Sequence, residues 1–247
     1  MKSTLKPLMA ACFTVFALAA CNSGSQESAT AAGPAAGTPS GRTGGSSGGS
    51  GGSSGSGGTT AAGVIGPSCV SSDANQICIG VKAVSYTSNG QPTYTEDQAV
   101  ATIQGINDLW KQCNVAFQLE EYQAVNPADY GLTNGSDSQG EAGTVRSDFS
   151  DDKTFLLAAT GSWNSSYIAW TQMPGAGPYG SVFDVNYATD AITVAHEFGH
   201  YLGLDHVSDQ GNIMYPQVYP NDTAFTSDQC SLARSTAASY WQAMMRH

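Results

Sequence analysis

Positive charge is scarce in this sequence. Nine lysines and arginines stand against twenty aspartates and glutamates, a formal net charge of -11, and charged residues are 12% of the 247, about half the usual share. A nucleic-acid binder needs a basic face to release counterions from the phosphate backbone, so that class of partner is excluded. A charge-driven disordered chain and a solvated coiled coil go with it. Long hydrophobic runs are missing too. The apolar and small-residue run at 8–20 falls short of the roughly 20 residues that a helix needs to cross a bilayer. Histidine is rarer still, with four in the whole chain.

Glycine is abundant, at 29, but gathered in one place. Fourteen lie in residues 22–63, where everything except Asn22, Gln26, Glu27 and Arg42 is Gly, Ser, Thr, Ala or Pro. Such a stretch has no large apolar side chains to offset the entropy of ordering, so it reads as a flexible tether with a root-mean-square reach of roughly 35 Å. Ahead of it, Lys2 and Lys6 precede the run at 8–20, the pattern of a signal peptide. The run ends Leu18-Ala19-Ala20-Cys21, which resembles the bacterial lipoprotein lipobox. That resemblance implies cleavage before Cys21 and acyl chains on Cys21 that anchor the chain in the cell envelope. Asn22, where an inner-membrane retention signal has Asp, points to the outer membrane. The expected organisation is a signal at 1–20, lipidated Cys21 with a tether to 63, and one domain at 64–247.

Cys69, Cys78, Cys113 and Cys230 remain in the exported part, an even number in an oxidising compartment, and no Cys-x-x-Cys spacing suggests thiolate ligation. Two disulfides are expected. Four cysteines permit three pairings, of which Cys69 with Cys78 and Cys113 with Cys230 is preferred, since the first pair is close in sequence and the other two fall on predicted helices.

From residue 77 the pattern is α/β. A strand is expected at 77–86, closed by the turn Ser88-Asn89-Gly90. Thr95 and Gln98 are spaced as a capping box before a helix carrying Val100, Ile103, Ile106, Leu109, Trp110 and Cys113. Further strands read at 115–119, 154–159, 168–171 and 181–185, with a polar loop over 126–152. Asp148, Asp151 and Asp152 in that region are candidate calcium ligands, although no EF-hand pattern occurs and a solvated loop is the simpler reading. Thr226 and Gln229 repeat the capping-box spacing at the start of a last helix. The expectation is a twisted, mostly parallel sheet with an antiparallel edge strand.

Three of the four histidines fall in His196-Glu197-Phe198-Gly199-His200-Tyr201-Leu202-Gly203-Leu204-Asp205-His206. On a helix, His196 and His200 lie one turn apart on one side, able to hold one ion between them. Glu197 sits about 100° around, placed to take a proton from water rather than to ligate. Gly203 can end the helix in the left-handed conformation and return His206 as a third ligand, leaving the fourth position of a catalytic zinc open.

These eleven residues resemble the metzincin metallopeptidases, whose H-E-x-x-H-x-x-G-x-x-H motif they match at every fixed position. Asn212-Ile213-Met214-Tyr215-Pro216 is similar to the family's Met-turn, with Met214 as an apolar floor under the metal. Asp205 before the last histidine, the short link and Met214-Tyr215-Pro216 resemble the matrixins most closely. Val207 departs from the Ser usual there, and the Pro-Arg-Cys-Gly switch of matrixin pro-domains is absent. With only His247 left over, the second structural zinc of matrixins is expected to be missing.

The resemblance implies a metzincin-like domain with an active-site helix and a C-terminal helix, one catalytic Zn2+, and a peptide substrate lying antiparallel to the edge strand, for which 168–173 is the candidate. The loop 216–225 is expected to shape the pocket on the product side. Combined with the lipobox, it implies a monomeric, membrane-anchored zinc endopeptidase of extracytoplasmic proteins with Glu197 as general base. The alternative, from another class, is a non-catalytic zinc-containing surface lipoprotein that binds a partner through the cleft.

Overall fold

The computed structural model describes residues 26–31, 63–71 and 73–247. The signal segment 1–20, Cys21 and the rest of the tether lie outside them. The strands are β1 (Gln26–Ala31), β2 (Ile77–Ser88), β3 (Gln91–Pro92), β4 (Val115–Val125), β5 (Phe155–Ala159), β6 (Tyr167–Gln172), β7 (Ser181–Phe183), β8 (Gln217–Val218) and β9 (Met245–Arg246); the helices are α1 (Glu96–Trp110), α2 (Gln139–Phe149), α3 (Ala191–Tyr201) and α4 (Ser227–Tyr240).

β2 lies between β4 and β5 and is parallel to both, β5 is parallel to β7, and β6 joins β7 antiparallel. The mostly parallel sheet with an antiparallel strand beyond β7 is the expected architecture. Side chains of β5 alternate between two cores. Phe155, Leu157 and Ala159 face the cluster shared with Trp110 of α1 and Phe198 of α3. Leu156 and Ala158 join Ala142, Val145 and Phe149 of α2 on the other face. Helices on both faces explain why this strand is apolar throughout.

Both expected capping boxes form, at Thr95 with Gln98 and at Thr226 with Gln229. Cys69 bonds to Cys78 and Cys113 to Cys230, so the second disulfide ties α4 to the turn after α1. β9 pairs with the start of β2, and Arg246 grips Glu120 with Nε and Nη2, each 2.6 Å from a carboxylate oxygen. No helix among the described residues is long and apolar enough to cross a membrane.

Two segments differ from the sequence reading. The polar loop expected at 126–152 contains α2, whose first turn is capped by Ser138, accepting from the Glu141 amide at 3.3 Å. Gly140 and Gly143 dilute its helical signal, yet Ala142, Val145, Arg146 and Phe149 keep the three- and four-residue spacing of a buried stripe. The second is Gln26–Ala31, inside the stretch read as a flexible tether. It forms β1, antiparallel to β6 and parallel to β8. Pairing at a sheet edge uses backbone amides and carbonyls, which every residue here supplies, so a lack of large apolar side chains does not prevent it.

Candidate active site

α3 is capped at its N-terminus by Asp190, whose carboxylate accepts from the amides of Ile192 and Thr193. It presents His196 and His200 one turn apart, and then has to end so that the chain can come back. Gly203, at φ 81°, does this in the left-handed region, where a side chain would be strained. Its amide donates to His200 O and that of Leu204 to Gly199 O, both at 2.9 Å. The reversed chain carries Leu204 O to 2.7 Å from Nδ1 of His200, while Ile213 O lies 2.6 Å from Nδ1 of His196. A carbonyl only accepts, so both Nδ1 atoms carry the proton and both Nε2 atoms present bare lone pairs.

Those lone pairs converge. Nε2 of His200 is 3.1 Å from that of His196 and 3.2 Å from that of His206, and the third separation is 3.2 Å. Two acceptors cannot hydrogen-bond to each other, so this closeness is a cradle for a cation. Nitrogen ligands around a tetrahedral zinc at 2.0–2.1 Å stand about 3.4 Å apart, and the triad is close to that spacing. It is the one group of three or more metal-ligand side chains among the described residues. Burial lowers the pKa of His196 to about 4 and that of His200 well below the usual value, with the neighbouring imidazoles adding to the effect. Burial also lowers that of the part-buried His206, against an opposing pull from Asp205. All three are neutral at pH 7, the form that ligates.

Met214 is fully buried beneath α3. A Cβ on Gly199 would run into its Sδ, so the glycine between the two helical histidines is what lets the turn approach. Asn212 Oδ1 accepts from the Met214 amide at 2.9 Å and exchanges amide hydrogen bonds with Gln229, the capping-box residue of α4. The floor of the site is thereby fixed to the C-terminal helix.

Glu197 is buried and accepts a hydrogen bond at Oε2 from Thr171 Oγ1 on β6. Thr171 Oγ1 is also 2.8 Å from Ser181 Oγ on β7. A hydroxyl has one proton to give, so Ser181 donates to Thr171 and Thr171 to Glu197. Arg146, fully buried on the far side of the sheet, donates to Trp170 O at 3.4 Å. Burial pushes its pKa down to about 10 against the attraction of Tyr201 and Glu197. Thr171, Ser181 and Arg146 carried no signal in the sequence, since only the sheet register brings them to Glu197. The aspartates considered for calcium do not assemble: Asp151 instead accepts from Lys153 N, Thr154 N and Thr154 Oγ1 at 2.8–3.0 Å.

The model of one protein family, the matrixins, matches residues 111–233. A comparison with curated protein sequences finds no match. Among solved structures, the chain is similar to metalloproteinase-II from Bacteroides fragilis, at 16% identity over 66% of this chain and 54% of that one, with a TM-score of 0.49. It is similar as well to mature mirolysin of Tannerella forsythia in complex with a cleaved peptide, at 13% identity over 70% of this chain and 100% of that one, TM-score 0.50. A promirolysin mutant from the same organism matches at 13% identity over 69% and 83% of the two chains, TM-score 0.53. The chain thus spans about half the length of the Bacteroides protein, and at these identities the likeness to the mirolysins is one of fold. The family match runs from the turn after α1, through the histidine helix and the methionine turn, into α4, and over those residues the chain is similar to the matrixins.

Proposed function

We propose that the chain is a zinc endopeptidase of the cell envelope, anchored through Cys21 and acting on extracytoplasmic proteins. The observation that carries the reading is the convergence of three neutral imidazole Nε2 atoms within 3.2 Å of each other, one residue from the held carboxylate of Glu197. The family match supports zinc as the ion. His196, His200 and His206 would hold it, and when bound it supplies Lewis acidity toward water and a substrate carbonyl oxygen.

The chain's own residues do the rest. Glu197 takes the proton of the attacking water and passes it to the departing amine. Thr171, anchored by Ser181, keeps the carboxylate turned toward β6. The buried charge of Arg146 holds it electrostatically from across the sheet. The substrate is an extended peptide, and in the intact chain Cys21 keeps the domain within reach of envelope proteins.

The test uses the purified chain supplied with zinc. About one zinc per chain should be retained, and an unfolded protein should be cut. Glu197→Ala should keep the metal and lose at least a hundredfold in rate, general-base catalysis being worth roughly 10²–10⁴. Metal retained without cleavage of a broad peptide library would overturn the peptidase reading in favour of a non-catalytic zinc protein.

A further inference from the structure

β1 takes the place expected of a peptide substrate, antiparallel along the candidate edge strand. It runs antiparallel along β6, with Glu27 opposite Thr171 and Ala29 opposite Ala169, and then parallel to β8, with Thr30 beside Gln217 and Ala31 beside Val218. Each flank belongs to the site. Thr171 is the residue that holds Glu197, so the β1 backbone passes one strand spacing, about 4.8 Å, from the holder of the general base. β8 begins three residues after Met214. The register along β6 shifts between Ala29 and Thr30, where pairing with β8 begins. A strand that bridges these two edges spans the site.

We infer that Gln26–Ala31 is the domain's own intramolecular substrate, and that the chain cuts itself there, between its anchor and its domain. The inference rests on the peptidase reading above. Residues 32–62 join the strand to the domain, and holding two groups on one chain by a link of this length supplies an effective concentration on the order of millimolar. The segment therefore occupies the groove without high intrinsic affinity, and until it is cut it competes with every other peptide.

The step is a hydrolysis. The oxygen of water bonds to a carbonyl carbon within Gln26–Ala31, the C–N bond breaks, the nitrogen leaves as an amine with the proton relayed by Glu197, and no oxidant or reductant is needed. Because Cys21 lies upstream of every bond in the segment, any such cut leaves a short lipidated stub and frees the domain.

The experiment expresses the full chain, supplied with zinc, in a bacterium that exports lipoproteins, as wild type, Glu197→Ala and a deletion of residues 26–31. Wild type should yield a domain whose first residue, by intact mass and terminal sequencing, falls within 27–32, at a rate unchanged by tenfold dilution. Glu197→Ala should retain the segment uncut. The deletion should give no such cut while still cleaving an added unfolded protein. Wild type that cleaves the added protein yet keeps 26–31 intact overturns this inference alone, as does a rate proportional to concentration. Wild type that cleaves neither overturns the peptidase reading with it.

Discussion

At the scale of single residues, the sequence names the groups that bond to a metal or move a proton, and it is silent about those that hold them. His196 and His200 are legible because helical periodicity puts them on one side of α3, Glu197 because it follows His196 directly, and His206 because it comes three residues after a glycine that can end the helix. Thr171 is not, because its relation to Glu197 is made by strands 26 residues away in the chain. A hydrogen bond to a charged group contributes about 1.5–3 kcal/mol. Thr171→Val should therefore lower kcat by roughly ten- to a hundredfold, at 1.4 kcal/mol per factor of ten, with KM little changed. Thr171→Ser, which keeps the hydroxyl, should restore most of the rate. Steady-state kinetics on both variants checks this, and equal losses in both would remove Thr171 from the list of residues that position the base.

At the scale of elements, what was legible followed from which faces are buried. β5 reads as a buried strand from its unbroken Phe-Leu-Leu-Ala-Ala run, and such a strand requires a layer on each side. The first layer, α1 and α3, announces itself by capping and periodicity. The second, α2, hides among glycines, aspartates and serines, with only four buried positions to mark it. A buried strand with one visible covering layer is thus a sequence-level sign that a second helix is missing from the reading. Close approach is equally unreadable until the neighbour is known. Gly199 occupies a variable position of the histidine motif, but here its bare Cα admits Met214. Gly199→Ala raises helix propensity yet forces the buried Met214 thioether away, and overpacking of this kind costs about 1–3 kcal/mol. The variant should melt lower than the parent and bind zinc more weakly, by calorimetry and metal titration. A higher melting temperature would mean that propensity outweighs the contact.

For the whole molecule, the buried triad makes stability depend on metal and on pH together. In the metal-free chain, burial keeps His196 neutral down to about pH 4 and His200 lower still. The unfolded chain has no such burial, and its imidazoles take up protons near pH 6.5. Between pH 6.5 and 4 the unfolded state therefore binds more protons than the folded one, and stability falls as the pH falls. Above pH 6.5 this contribution is fully present. Zinc acts in the same direction, since it binds the folded arrangement and only the neutral imidazoles. At a hundredfold excess over its dissociation constant it stabilises by about 2.7 kcal/mol at pH 7. That increment should shrink below pH 6.5, as protons compete for the ligands. Melting curves of chelator-treated and zinc-loaded protein at pH 7.5, 6.0 and 5.0 should show the apo curve moving to lower temperature and the gap between the two closing. An apo melting temperature that stayed flat through this range would show that the imidazoles are not withheld from solvent protons, and the metal cradle would then not be preformed in the folded chain.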